Sequence, residues 1–559
     1  MLSTYTYPKY RYTRPPELQS ADIRRVPLIV VGGGPVGLAA AIDARLQGLP
    51  VVLLDDDDTV SVGSRGVCYA KRSLEILDQL GIADRVVEKG VSWNVGRTFF
   101  RESEVFSFNL LPEPDHKQPG MVNLQQYYLE EYLVTRAEEL GVELRWKNTV
   151  TAIQAAPDGV RLSVQTRDGD YNIDADWLIA ADGAKSLLRR EMGLEAEGTV
   201  FQDHFLIADI VMKADFPAER WFWFDPPFHR HQSALLHKQA DHVWRLDFQL
   251  GWDADPVEEK KLENVLPRIM AMLGDEREFE LEWVSVYTFQ CRRMHEFRHD
   301  RVLFIGDAAH QVSPFGARGA NSGIQDANNL IWKLKLVIEE KAPERLLDSF
   351  SIERVAAADE NLLNSTRSTD FITPKSSTSK LFRNAVLSLA QYHPFARALV
   401  NSGRLSVPTY LTDTGLNTPD DAGFDHGMSP GAPMDDAPVS VEGQPSWLLN
   451  EVGGNFHLLY FGLTMEIPKA MVNLLTSLAQ DSIPVITLLI ISPDTATTPE
   501  KGSETLRVLV DIKGVMSTRY AAKPGTVYLI RPDQHVAARW RQPDVDQIRA
   551  AVARATCND

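Results

Sequence analysis

A short β-branched run, Leu28-Ile29-Val30-Val31, leads straight into the turn Gly32-Gly33-Gly34-Pro35-Val36-Gly37, and nothing else in the 559 residues restricts the fold as strongly. The run suits a strand buried on both faces of a parallel sheet. Gly32 permits the tight bend that follows, Gly34 lets the backbone approach a phosphate, and Gly37 lets the next helix pack close to the strand. An Ala-rich helix from about Leu38 to Gln47 and a strand at Val51-Val52-Leu53-Leu54 complete a βαβ unit with a right-handed crossover. The helix start offers unpaired N–H groups and the positive end of its dipole to an anion. Asp55, ending the second strand, is placed to accept from an adenosine ribose. The pattern predicts dinucleotide binding and does not by itself choose between NAD and FAD.

Two later segments make that choice. Ala181-Asp182-Gly183 follows the apolar strand Trp177 to Ala180, and Gly306-Asp307 follows the strand Arg301 to Ile305. Asp307, at a strand's carboxyl end, can accept from a polyol hydroxyl. The turn Ser313-Pro314-Phe315-Gly316-Ala317-Arg318-Gly319-Ala320-Asn321 then opens a long helix, from about Asn321 to Glu340. Its N-terminus could stabilise negative charge at the pyrimidine end of a reduced flavin. The ordered set points to FAD.

Between these segments, residues 201 to 286 alternate like an antiparallel sheet. In the run from Val243 to Leu250, Trp244, Leu246, Phe248 and Leu250 share one face, and Arg245, Asp247 and Gln249 share the other. A Pro/Gly/Asp-rich stretch near 408–438 reads as a linker. Beyond it, strands near Phe456, Pro484 and Leu506 and a helix from Met465 to Ala479 indicate a small α/β domain. The expected division is an N-terminal extension 1–26, an FAD-binding domain of 27–200 and 290–405, a substrate domain 201–289, a linker 406–438 and a last domain 439–559.

Charge and cysteine content narrow the partners. Lys and Arg number 58 against 76 Asp and Glu, a net charge of −18. Such a surface repels nucleic acid and anionic membranes, so neither is an expected partner. Cys68, Cys291 and Cys557 form no CxxC, which argues against a disulfide framework or metal ribbon and for a reducing cytosol. No apolar run approaches the ~20 residues that span a bilayer, and the polar start lacks a signal peptide's apolar stretch. A cytoplasmic protein without bound metal is expected.

These segments resemble the class A flavoprotein monooxygenases, the family of the p-hydroxybenzoate hydroxylase and phenol hydroxylase folds. The resemblance spans residues 27 to 365. It rests on the Gly32 to Gly37 turn, the Asp182-Gly183 and Gly306-Asp307 pairs, the loop Ser64-Arg65-Gly66 and the helix start Arg72-Ser73-Leu74-Glu75. The stretch Gly525 to Asp533 is similar to the subgroup with a thioredoxin-like third domain, which includes phenol hydroxylase and 3-(3-hydroxyphenyl)propionate hydroxylase. The fold implied is α/β: a Rossmann-type FAD-binding domain, an inserted antiparallel substrate sheet and a thioredoxin-like domain. Without CxxC, that last domain is expected to serve packing or formation of a homodimer.

The resemblance also implies a chemistry. NADH or NADPH binds transiently and reduces FAD, dioxygen is activated as a flavin hydroperoxide, and an oxygen is transferred to a small electron-rich aromatic substrate. By position, Gly32, Gly34, Pro35 and Gly37 would hold the pyrophosphate and Asp55 the adenosine ribose. Arg65 and Gln125 would lie along the pyrophosphate and ribityl region, Gly306 and Asp307 at the ribityl hydroxyls, and Asp182 would serve the cofactor motif. Pro314, Gly316, Gly319, Ala320 and Asn321 would border the isoalloxazine. Many relatives have Gly-Gly-Gln-Gly-Met-Asn at 316–321, so Arg318 is a departure.

Substrate contacts are expected on the sheet's polar face. His237, Arg245 and Tyr287 are the catalytic candidates, with Gln249 and Arg293 for substrate binding. Arg245 and Arg293 could pair with a substrate carboxylate. The competing reading for each is a solvated face or a structural ion pair, and for Trp221-Phe222-Trp223-Phe224 plain packing. Cys68 and His310 read as structural. The alternatives kept open are an epoxidase or polyketide-tailoring oxygenase, and a non-catalytic FAD-binding interaction protein.

Overall fold

The computed structural model describes residues 4–19, 22–63, 65–274, 277–401, 405–462, 469–495 and 506–559. Its first sheet has eight strands, with Arg25–Val31 at the centre. That strand pairs in parallel with Gly169–Ala180 on one side and Val52–Leu54 on the other. Val302–Phe304 and Glu143–Arg145 extend the parallel core outward. Leu28, Ile29 and Val30 are wholly buried, as their β-branched run required. The helices Pro35–Leu46 and Gly319–Ile338 match the expected ones within a few residues, and Gln126–Glu139 forms a further helix.

The second sheet has seven strands, in the order Glu280–Tyr287, Phe205–Val211, Val243–Gln249, Ser233–Lys238, Arg220–Phe224, Val95–Phe100 and Ser103–Asn109. The expected substrate domain was therefore drawn too narrowly. Residues 95–109 belong to its sheet, because Val95–Phe100 pairs in parallel with Arg220–Phe224. Leu206, Ile210, Trp244, Leu246 and Phe248 face away from the nucleotide domain and pack on Val265 and Ile269 of the helix Leu262–Leu273. Phe222 and Phe224 face the other way, so the aromatic tetrad divides between the two faces. The strand Glu280–Tyr287 ends before Thr288-Phe289, and the next, Gln290–Met294, joins Ala196–Val200 and His310–Gln311 in a separate small sheet.

Two segments read as peripheral are packed. In the N-terminal stretch, Tyr5 stacks on Tyr127 at 4.2 Å between ring centroids, and Tyr10 on Trp146 at 4.6 Å. Buried Glu17 receives Arg145 through both carboxylate oxygens. The supposed linker lies against the last domain: Leu411 and Leu416 are buried, Thr418 donates to the Ala537 carbonyl, and Asp420 pairs with Arg539. That domain has a seven-stranded mixed sheet. Phe456–Phe461 runs parallel to Val485–Ile491 and antiparallel to Val527–Ile530, which forms a hairpin with Val536–Trp540. Its helix is described from Lys469 to Gln480, and the earlier residues of the expected helix lie outside the described ones. Among the described residues, no helix is long and apolar enough to cross a membrane.

Candidate active site

The glycine turn has the form a pyrophosphate needs. Gly32 has φ +111°, and a Cβ there would lie 2.3 Å from the Ala181 carbonyl oxygen. A Cβ on Gly37 would lie 2.0 Å from the Gly32 oxygen, whereas one on Gly34 would meet nothing within 4 Å. Strand, turn and Ala181 are thus locked together, while Gly34 faces open space beside the helix that begins at Pro35. Asp55 ends its strand as expected, but both its oxygens already accept backbone N–H groups, from Gly33 and Asp57. Burial lifts its carboxyl to about 6.

The other nucleotide candidates converge on the same side. Asp182 caps Leu188 with one oxygen and has the other buried without a partner. Gln125 donates to the Ala240 carbonyl, and its buried Oε1 has no partner. Arg65 is exposed and acts on Asp307, whose carboxylate is open to solvent beside Gly319. Gly66, next to it, is held by Gln126 and lies close to Ala320. Pro314 is exposed and Gly316, at φ +132°, is buried. The Asn321 side chain is fully used within the protein: it accepts from Ala70 N–H and donates to the carbonyls of Cys68 and Ala317. Only its backbone could serve a cofactor. Arg318 acquires a place, buried and bonded to Asn361. Unpartnered acceptors at Gln125 and Asp182, an open Asp307 and the free face of Gly34 are what a polyhydroxylated dinucleotide would satisfy.

Two residues that a single sequence could not single out hold the motifs in place. Arg189 donates to the carbonyls of Ala184 and Ala308, joining the Asp182-Gly183 and Gly306-Asp307 turns. Asp326, fully buried, accepts from Gly306 N–H, His310 and Arg354. His310 is therefore structural, as expected.

The inward face of the second sheet is polar at one end and aromatic at the other. Cross-strand register aligns Arg220, His237, Arg245, Asp209 and Trp283 in one row. The next row is Phe222, Leu235, Asp247, Ile207 and Ser285, and the third is Phe224, Ser233, Gln249, Phe205 and Tyr287. Trp93 donates to Asn123 Oδ1, which turns the Asn123 amide nitrogen toward His237 Nδ1 at 3.3 Å. Nδ1 then accepts and Nε2 carries the proton, buried with no partner. Burial, then Arg245 and Arg220, holds His237 far below its ordinary value, which favours the neutral ring.

Three substrate expectations need correction. Arg245 is committed to Asp209, at 2.8 and 2.7 Å, so it is not a free cation for a substrate carboxylate. Arg293 lies in the small separate sheet and grips Asp359 in the same bidentate manner. Gln249 gives its oxygen to Ser233 N–H and hydroxyl, where the two interior strands meet at their ends. Tyr287 does face the site, its hydroxyl raised far above the usual range by burial and by Asp247. Asp247, noted in the sequence only as a polar position, has a buried Oδ1 without a partner, and its carboxyl is pushed up to about 7.

Residues 25–365 match the FAD binding domain family. The chain belongs to that family. It is an FAD-dependent monooxygenase of the aromatic hydroxylase group. A 3-(3-hydroxy-phenyl)propionate/3-hydroxycinnamic acid hydroxylase of Klebsiella pneumoniae is 27% identical over 541 residues, 94% of each chain. A 6-methylpretetramide 4-monooxygenase of Streptomyces rimosus is 31% identical over 67% of this chain and 65% of its own. Among solved structures, the flavin-dependent monooxygenase PieE, in complex with FAD and substrate, superimposes with a TM-score of 0.80 at 23% identity, over 97% of this chain and 100% of its own. Aklavinone-11 hydroxylase with FAD and aklavinone gives 0.75 at 20% identity, over 96% and 100%. In this monooxygenase, then, the dinucleotide to be held is FAD.

Proposed function

We propose that this monooxygenase hydroxylates a phenol or another electron-rich aromatic compound, with NADH or NADPH as electron donor and dioxygen as oxidant. The supporting observation is the sheet face itself. Phe100, Phe205, Phe222, Phe224 and Phe315 form one apolar cluster, beside Asp247, Tyr287 and a His237 Nε2–H that finds no acceptor among the described residues. An aromatic ring with a hydroxyl matches both halves of that surface. Bound FAD supplies the electron transfer and oxygen activation. The chain's own residues bind, orient and exclude water. Gly32, Gly34, Pro35 and Gly37 would cradle the pyrophosphate, Asp55 the adenosine ribose and Asp307 the ribityl chain. Asp182, Gln125 and Arg65 would complete the site, with Gly306, Pro314, Gly316, Gly319, Ala320 and the Asn321 backbone beside the ring. The last domain, which lacks CxxC, would serve packing.

Hydroxylases of this type reduce FAD quickly only with substrate bound. NAD(P)H oxidation should therefore be measured over a panel of phenols, including 3-(3-hydroxyphenyl)propionate, 6-methylpretetramide and aklavinone, with analysis of products. At least one phenol should stimulate oxidation and emerge hydroxylated. Stimulation that releases only hydrogen peroxide across the panel would overturn the reading.

A further inference from the structure

Asp247 lies at the centre of the sheet face turned toward the flavin site. Its neighbours on the same strand are occupied, Arg245 by Asp209 and Gln249 by Ser233. Leu235 and Ile207 flank it on the adjoining strands, with Phe222 and Ser285 beyond. These give Oδ1 no hydrogen bond. Oδ1 itself is buried, while the residue as a whole keeps part of its surface open. A carboxylate in such a setting lacks a partner that a ligand could supply.

We propose that Asp247 is the base of the reaction, taking the proton of the substrate's phenol. Its carboxylate accepts from the hydroxyl, the O–H bond breaks, and the electron pair stays on the substrate oxygen, where it enriches the ring. The proton returns to that oxygen as the hydroxylated ring regains aromaticity. No electrons move in this step, so it needs no further reactant. The assignment rests on the phenol reading above.

The charged and titratable groups around it fit the task. Arg245 shares its strand, Asp209, Arg220, His237 and Tyr287 face it from the others, and the Cys68 thiol faces it from the strand Cys68–Ala70. Burial raises the carboxyl, Arg245 and Arg220 pull it down, Asp209 raises it again, and the result is about 7. A base poised there is about half ionised at neutral pH and able both to take and to hold a proton. The two guanidinium groups also favour negative charge on the substrate oxygen. His237, held well below its ordinary value by burial and by the two guanidinium groups, is a poor competitor for the proton.

The test compares wild type with Asp247→Asn and Asp247→Glu, on phenols of graded acidity drawn from the panel, with 4-nitrophenol at the acidic end. Wild-type kcat should rise through an acid limb near pH 7. In Asp247→Asn that limb should vanish, and kcat on weakly acidic phenols should fall about 10²- to 10⁴-fold. The loss should shrink toward nothing on 4-nitrophenol, which arrives ionised. Flavin absorbance and FAD content should match wild type in both variants. Asp247→Glu should restore part of the rate, with a displaced limb. An unchanged limb and equal rates on weak phenols in Asp247→Asn would overturn the assignment. If that variant failed to hold FAD, an unmoved limb in Asp247→Glu would do the same. A wild type that hydroxylates no phenol overturns the underlying reading, and the base falls with it.

Discussion

A Cβ on Gly37 would press on the Gly32 carbonyl at 2.0 Å, while one on Gly34 would stand in open space. Two Gly→Ala variants a turn apart should therefore fail differently. Gly37→Ala is expected not to fold, because backbone cannot yield at that distance. Gly34→Ala should keep the fold and lose FAD affinity at least about tenfold, about 1.4 kcal/mol, since its methyl fills the space meant for phosphate. Circular dichroism and flavin titration distinguish the two, and a Gly34→Ala variant with undiminished FAD affinity would refute the cradle. Asp247 offers a second test, in stability. Its folded value is raised from 3.8 to about 7, so from pH 4 to 7 the folded state holds more proton than the unfolded one. Stability is full below that window and lost as pH rises through it. Asp247→Asn removes the loss and should be more stable than wild type at pH 8, on the order of 2 to 4 kcal/mol, with little difference at pH 4. Equal stability of the two at pH 8 would show the carboxyl is not strained. The glycines were legible because their roles are local. Asp247 was not, because its isolation depends on which neighbours Arg245 and Gln249 find on other strands.

At the scale of elements, alternation in Val243–Gln249 named the polar face correctly, but pairing across strands determined what each residue does. Arg245 and Asp209 are directly opposed in register and both are buried. Nothing local to either strand marks them as partners, so Arg245 read as a substrate ligand. The pair makes a clear prediction. Arg245→Met leaves Asp209 charged and buried, and should cost about 3–5 kcal/mol. Removing both charges with Arg245→Met and Asp209→Leu should recover most of that, as replaced buried pairs often do. Denaturant unfolding of the two single variants and the double measures the coupling. A stable Arg245→Met variant with only a raised Michaelis constant would restore the original reading. The same limit explains residues 95–109, whose membership in the sheet depends on parallel pairing with Arg220–Phe224, far along the chain.

Across the whole molecule, the last domain is joined to the FAD domain through ions that water does not reach. Arg531, from the loop of its C-terminal hairpin, bonds both oxygens of Glu353 on the helix Leu346–Ile372. Lys333 and Asn329 reach the same carboxylate, and Asp533 binds Arg531 and Asn329. Arg72, beside the cofactor loop, donates to Gln534 and to the Asp533 carbonyl. The sequence marked Arg72, Arg531 and Asp533 only as members of resembling segments and did not single out Asn329, Lys333 or Glu353, because a network assembled from four distant segments leaves no spacing to read. Its consequence is cooperative. Parting the domains would expose several buried charges together, so the protein should unfold in one transition, and FAD should shift the whole of it upward. Burial pushes the Glu353 carboxyl up, but the Arg531 and Lys333 charges outweigh it and hold it well below the usual range. Its contribution is fully present above the ordinary carboxyl range and is lost progressively as pH falls from that range through the lowered value. Glu353→Gln leaves Arg531 and Lys333 short of a countercharge and should cost about 3–5 kcal/mol. Scanning calorimetry at pH 7 should then show two transitions in place of one, with flavin release following only the FAD domain's. Two transitions already present in the wild type would mean that the network does not couple the domains.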